Sequence, residues 1–181
     1  MKVPIVCPKK YTGRKNELEK LLYSLKSPFL FVNKFYKLRA LSSINIEHKP
    51  IKYRADYKTP HTIYVDFRNN VYYLALSIAH EYAHLLFRKN NFFNKIKLRA
   101  YLINDHDAYS FDQALAILTQ VSYEDSVGIR KFTRKTIFDL MRYMDVNPII
   151  SRALFKSWDK KRFNKQIISA AFLRGISEEL E

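Results

Sequence analysis

Val71-Tyr72-Tyr73-Leu74-Ala75-Leu76-Ser77-Ile78-Ala79-His80-Glu81-Tyr82-Ala83-His84-Leu85-Leu86-Phe87 is the stretch on which the fold turns. It has no Gly or Pro and is apolar nearly all round, a pattern that predicts a buried helix. Asn69-Asn70 in front offers a cap, and Arg88-Lys89 behind suits the negative end of the helix dipole. Within it, His80 to His84 matches the H-E-x-x-H pattern. On a helix, positions i and i+4 lie one turn apart on one face, so both imidazoles can reach one zinc ion. Glu81, beside the first ligand, is placed to take a proton from a water that the metal activates. Two histidines and a glutamate inside an apolar helix are costly unless something satisfies them, and zinc would do so. The bland alternative is a pair of half-exposed histidines that are merely hydrogen-bonded.

Two histidines do not hold a catalytic zinc; a third protein ligand is needed, with one position left for water. The candidates lie in Asp105-His106-Asp107-Ala108-Tyr109-Ser110-Phe111-Asp112. Stepping about 100° per residue along a helix from 105 to 121 clusters Phe111, Ala114, Leu115, Leu118 and Val121 on one side. Asp107 falls near the middle of that stripe, Asp112 well off it, and Asp105 nearly opposite. A carboxylate in a buried stripe needs a cation, so Asp107 ranks first. Asp112 and His106 follow, and simple N-terminal capping is the other reading of Asp107. His106 could also orient Asp107 from behind. Tyr109, Tyr123 and Tyr143 are candidate donors to a developing oxyanion, and the sequence does not separate them. His48 and His61 read as satisfied or surface residues.

Upstream, residues 14–26 predict a helix with Leu18, Leu21, Leu22 and Leu25 on one stripe, and 29–41 a second with Phe31, Phe35 and Leu38 along a face. Pro28 separates them. The period then changes to two. Residues 44–48, 51–54 and 62–67 alternate as half-buried strands do, so about three strands should precede the motif helix. Residues 90–101 read as a basic loop or short helix. Further helices are expected over about 129–144, 149–158 and 160–174. These patterns give the expectation of an α+β fold, with one domain over residues 1–125 that holds the small sheet and the motif helix. A basic helical extension over 126–181, in the same domain or beside it, should follow.

Thr62 to Phe111 resembles the ImmA/IrrE-type metallopeptidases, a branch of the zincins. The similar parts are the strand Thr62-Ile63-Tyr64-Val65-Asp66, the motif helix Ala75 to Leu86, and the segment Asp107-Ala108-Tyr109-Ser110-Phe111. That last segment is similar to the family's acidic-Ala-x-x-Phe stretch, whose acidic residue is a metal-ligating Glu. Here Asp replaces Glu, and Tyr82-Ala83 replaces the common Leu-Gly. The resemblance implies a mixed sheet against the motif helix, with an edge strand lining the cleft. An extended peptide would pair with that edge, expected at Ile63 to Phe67. It also implies action on DNA-bound repressors or on the partners of toxins, or stress sensing.

Composition bounds the remainder. The chain has 181 residues and 48% apolar content, enough for one domain with a real core. Only three glycines are present, and neither G-x-x-x-x-G-K nor G-x-G-x-x-G occurs, which argues against phosphate-cradling loops. Cys7 is the sole cysteine, excluding an internal disulfide and a cysteine zinc knuckle. The apolar run at Met1 to Pro8 is too short for a signal peptide, and no run reaches membrane-span length. A cytoplasmic protein without membrane association is expected. The net charge of +15 suggests a polyanionic neighbour such as nucleic acid, against the plainer reading of solvated lysines.

Two functions compete. The first is a zinc metalloendopeptidase: His80, His84 and Asp107 on the metal, Glu81 as general base, and a specific protein or peptide substrate such as a regulator. The second is a nucleic-acid-binding protein using the helices from 129 to 174, with a structural or regulatory zinc site and no proteolysis. A self-cleaving processing protease differs from the first only in substrate.

Overall fold

A computed structural model describes residues 3–50, 55–58, 61–90, 105–128 and 133–157. Within these lie β1 (Ile5–Val6), a short 3-10 turn, α1 (Thr12–Leu22), α2 (Pro28–Tyr36), β2 (Asn45–His48), β3 (Ala55–Lys58) and β4 (Thr62–Val65). Four helices follow: α3 (Val71–Lys89), α4 (Asp105–Ser126), α5 (Arg134–Tyr143) and α6 (Pro148–Ser157). The fold is α+β and mostly helical. None of these helices is long and apolar enough to cross a membrane.

The sheet has the order β1-β2-β4-β3. β1, β2 and β4 run parallel, and β3 closes one end antiparallel to β4, with Lys58 opposite Thr62. The sheet is therefore mixed, as expected, but has four strands instead of three, because the two residues of β1 also pair. The strand expected at 51–54 lies outside the described residues; the strand that pairs with β4 is Ala55–Lys58. The alternation was informative: Ile46, Ile63 and Val65 are fully buried while their neighbours are half-buried. One expectation fails. Ile63 to Phe67 is not an edge, since β4 is hydrogen-bonded on both sides, and among the described residues the outer strands are β1 and β3. Past β4, the Phe67 N–H donates to His48 Nδ1 at 3.2 Å, and Arg14 donates to the Phe67 carbonyl. His48, which also rests against the Tyr11 ring, is thus satisfied structurally.

α1 stops earlier than its leucine stripe suggests. Leu18 and Leu22 are buried, but Leu25 lies past the helix end and is 98% exposed. α2 starts with Pro28 in its first turn and ends where Lys37 turns left-handed at φ 51°. α3 begins at an Asn70 cap, whose Oδ1 accepts the Tyr73 N–H at 3.0 Å, and ends in Arg88-Lys89, as its sequence predicts. It is buried continuously from Leu74 to Phe87 between the sheet, α2 and α4. The stripe on α4 is also as expected, with Phe111, Ala114, Leu115, Leu118 and Val121 all fully buried. α4 runs on to Ser126, beyond the expected end near Val121.

α5 and α6 pack on α4 and on each other. Their Ile137, Met141, Ile150 and Leu154 join the same apolar cluster as the sheet and α3. The helix expected at 160–174 and most of the 90–101 segment lie outside the described residues.

Tyr82, a motif position that resembles no ligand, locks α3 to α2. Its ring meets Phe29 edge-on at 4.8 Å, its hydroxyl donates to Asn33 Oδ1 at 2.9 Å, and the Leu41 N–H reaches it at 3.4 Å. Tyr82→Phe should cost about 1–2 kcal/mol, since it leaves buried partners unpaired without opening a cavity. Urea denaturation would show a lower midpoint at unchanged slope.

Candidate metal centre

α3 turns His80 and His84 onto the same face, one turn apart, and both are buried, at 7% and 1% exposure. Their Nε2 atoms converge to 3.2 Å. Two imidazole nitrogens sharing a tetrahedral zinc at about 2.0–2.1 Å would stand about 3.3 Å apart, so the spacing fits two ligands on one ion as well as a hydrogen bond between the rings.

What holds the rings is α4. Asp112 Oδ2 lies 2.8 Å from His84 Nδ1. An ionised carboxylate only accepts, so Nδ1 carries the proton and Nε2 presents its lone pair toward His80. Burial alone would lower the His84 pKa; the Asp112 carboxylate and its hydrogen bond, then Glu81, outweigh burial and raise it. His80 behaves oppositely. Burial, followed by the neighbouring His84, pushes it down to about 3, so its ring is neutral at physiological pH and able to ligate. The Gln113 and Gln120 side chains face it. Yet His80 Nδ1 and Gln113 Oε1 are both buried without a hydrogen bond. Loading Nε2 with a metal would place the ring proton on Nδ1, where Gln113 Oε1 is the nearby acceptor. Of the consecutive residues Asp112 and Gln113, the first holds the outer nitrogen of His84 and the second faces His80.

Glu81 is buried beside this pair, at 8% exposure. Tyr109, 47% exposed, has its phenol pKa raised by burial and then by the Asp145, Asp112 and Glu81 carboxylates. The other two tyrosines separate from it. Tyr123 is buried and donates to the Lys26 carbonyl at 2.7 Å, a structural role, and Tyr143 is a solvent-facing residue of α5.

Asp107 and His106 lie in the first turn of α4, with side chains outside the described residues. Among the described residues, no group of three His, Cys, Asp or Glu converges as a metal set. Asp112, weighed as a ligand from the sequence, sets Oδ2 on the outer nitrogen of His84, while its Oδ1 is buried without a hydrogen bond. It is a residue whose role sequence reasoning missed. The available signal was the polar set Asp112, Gln113 and Gln120 on a helix that is otherwise apolar where it meets α3. His61 sits just before β4, away from the motif helix in sequence, and its Nδ1 is likewise buried without a partner.

Comparison of the chain with protein-family models, with curated proteins and with solved structures finds no match.

Asp112→Asn should weaken zinc binding about 10–100-fold, because the imidazole loses the partner that sets its tautomer and basicity. Competition against a chromophoric chelator measures this, with unchanged circular dichroism reporting an intact fold.

Proposed function

We propose that this protein is a zinc-dependent metallopeptidase of the ImmA/IrrE type that cleaves a specific protein substrate inside the cell. The observation that carries the reading is the convergence of His80 Nε2 and His84 Nε2 at 3.2 Å, with Asp112 on the outer nitrogen of His84. The two rings lie at hydrogen-bonding distance, and a shared cation would account for that aim together with Asp112 on the outer nitrogen of His84. His80 and His84 would hold the zinc, and Asp107, from the first turn of α4, is our choice for the third protein ligand. The residue similarities from Thr62 to Phe111 support the same assignment.

When bound, zinc supplies a Lewis acid that polarises the scissile carbonyl and makes water more acidic. The protein's own residues do the rest. Glu81 accepts a proton as the water oxygen bonds to the carbonyl carbon. It then delivers that proton to the departing amide nitrogen as the C–N bond breaks. Tyr109, whose phenol pKa is raised first by burial and then by nearby carboxylates that include Glu81, is our choice of donor to the oxyanion. Strand β3, the antiparallel free edge beside α3, takes over the peptide-pairing role first assigned to Ile63 to Phe67.

Elemental analysis and a peptide-library cleavage assay test the proposal together. Wild type should carry one zinc per chain; His84→Ala and Asp107→Ala should not. Glu81→Gln should retain the zinc and lose cleavage by about 10²–10⁴-fold. Cleavage by Glu81→Gln at the wild-type rate would contradict the mechanism. Full zinc content in Asp107→Ala would remove Asp107 from the site.

A further inference from the structure

The Nε2 atoms of His80 and His84 are hydrogen-bonded at 3.2 Å, so one of them must carry the proton of that bond. In the neutral pair it is not the nitrogen of His84, whose one ring proton sits on Nδ1 against Asp112 Oδ2 at 2.8 Å. His80 Nε2 is therefore the donor, and His80 Nδ1 is left as a bare acceptor. That atom is buried, and no hydrogen bond reaches it. Gln113 Oε1, also an acceptor, is buried in the same condition. Gln113 and Gln120 both face the His80 ring. The outer side of His80 thus holds two acceptors and no proton to join them.

Buried polar atoms without partners are unfavourable and uncommon in native interiors. The mismatch disappears when the His80 proton changes place. As a zinc ligand, Nε2 must offer its lone pair, so it cannot keep its hydrogen. Nε2 gives that proton to water, Nδ1 takes one from water, and the ring stays neutral. Gln113 Oε1 then has a proton to accept. His84 undergoes no such exchange, since its proton is on Nδ1 in either condition. A carboxylate, which only accepts, suits a proton that stays.

We infer that Gln113 is a positioning residue of the metal centre, accepting through Oε1 the Nδ1 proton that His80 carries only as a metal ligand. The inference rests on the zinc reading above. Its consequence is a trade between two properties. The Gln113 oxygen is unfavourable to the metal-free fold and favourable to the zinc-bound one. Replacing the amide by an apolar side chain of similar size therefore moves stability and zinc affinity in opposite directions, which a residue of purely structural importance would not do.

Three measurements on the full-length protein test this: competition for zinc against a chromophoric chelator, urea denaturation in the presence of chelator, and long-range proton–nitrogen correlation spectra of the histidine rings. In wild type without zinc, the His80 proton should be on Nε2 and the His84 proton on Nδ1; with zinc, both should be on Nδ1. Gln113→Leu should bind zinc about tenfold more weakly or worse, while its metal-free urea midpoint rises. Gln113→Glu, which keeps an acceptor, should restore the affinity. Unchanged zinc affinity in Gln113→Leu, a midpoint that falls together with the affinity, or a His80 proton already on Nδ1 without zinc would each overturn the inference and leave the zinc reading standing. Failure of wild type to bind zinc at all would overturn both.

Discussion

The hydrogen bond from His84 on α3 to Asp112 on α4, 2.8 Å long and nearly dry, is the contact around which this protein is arranged. A carboxylate and an imidazole set between two apolar helices would be expensive if either lost the other. The pair fixes one point of the register in which the helices meet. In that register Gln113 faces His80 and the stripe from Phe111 to Val121 closes the core. The metal centre we propose would sit on helices, which hold ligand geometry more closely than loops do.

α4 also links the histidine pair to the last two described helices. It carries Asp112, on the outer nitrogen of His84, and Ser110, which accepts from the N–H of Asn147 in the turn between α5 and α6.

Much was legible because it was local. The motif helix, its Asn70 cap, the two-residue period of β2 and β4, and the buried stripe on α4 all follow from the spacing of apolar residues along an element. His80 and His84 share a face because helical geometry requires it. Less legible were elements whose pairing is non-local. β1 is two residues long and carries no alternation to read, yet it adds a fourth strand through Ile5 and Ile46. Leu25 matched a helical stripe, but the helix had ended at Leu22 and the side chain faces solvent.

Asp112 shows where the division lies. The H-E-x-x-H spacing placed His80 and His84 side by side in advance, since one turn of a helix brings positions i and i+4 together whatever surrounds it. No periodicity could say that Asp112 would end on the outer nitrogen of His84, or that Ile63 to Phe67 would be sandwiched between two strands. Those outcomes depend on how separate elements dock. Docking follows from the combined burial of many side chains distant in sequence, a sum that no single stretch of residues contains.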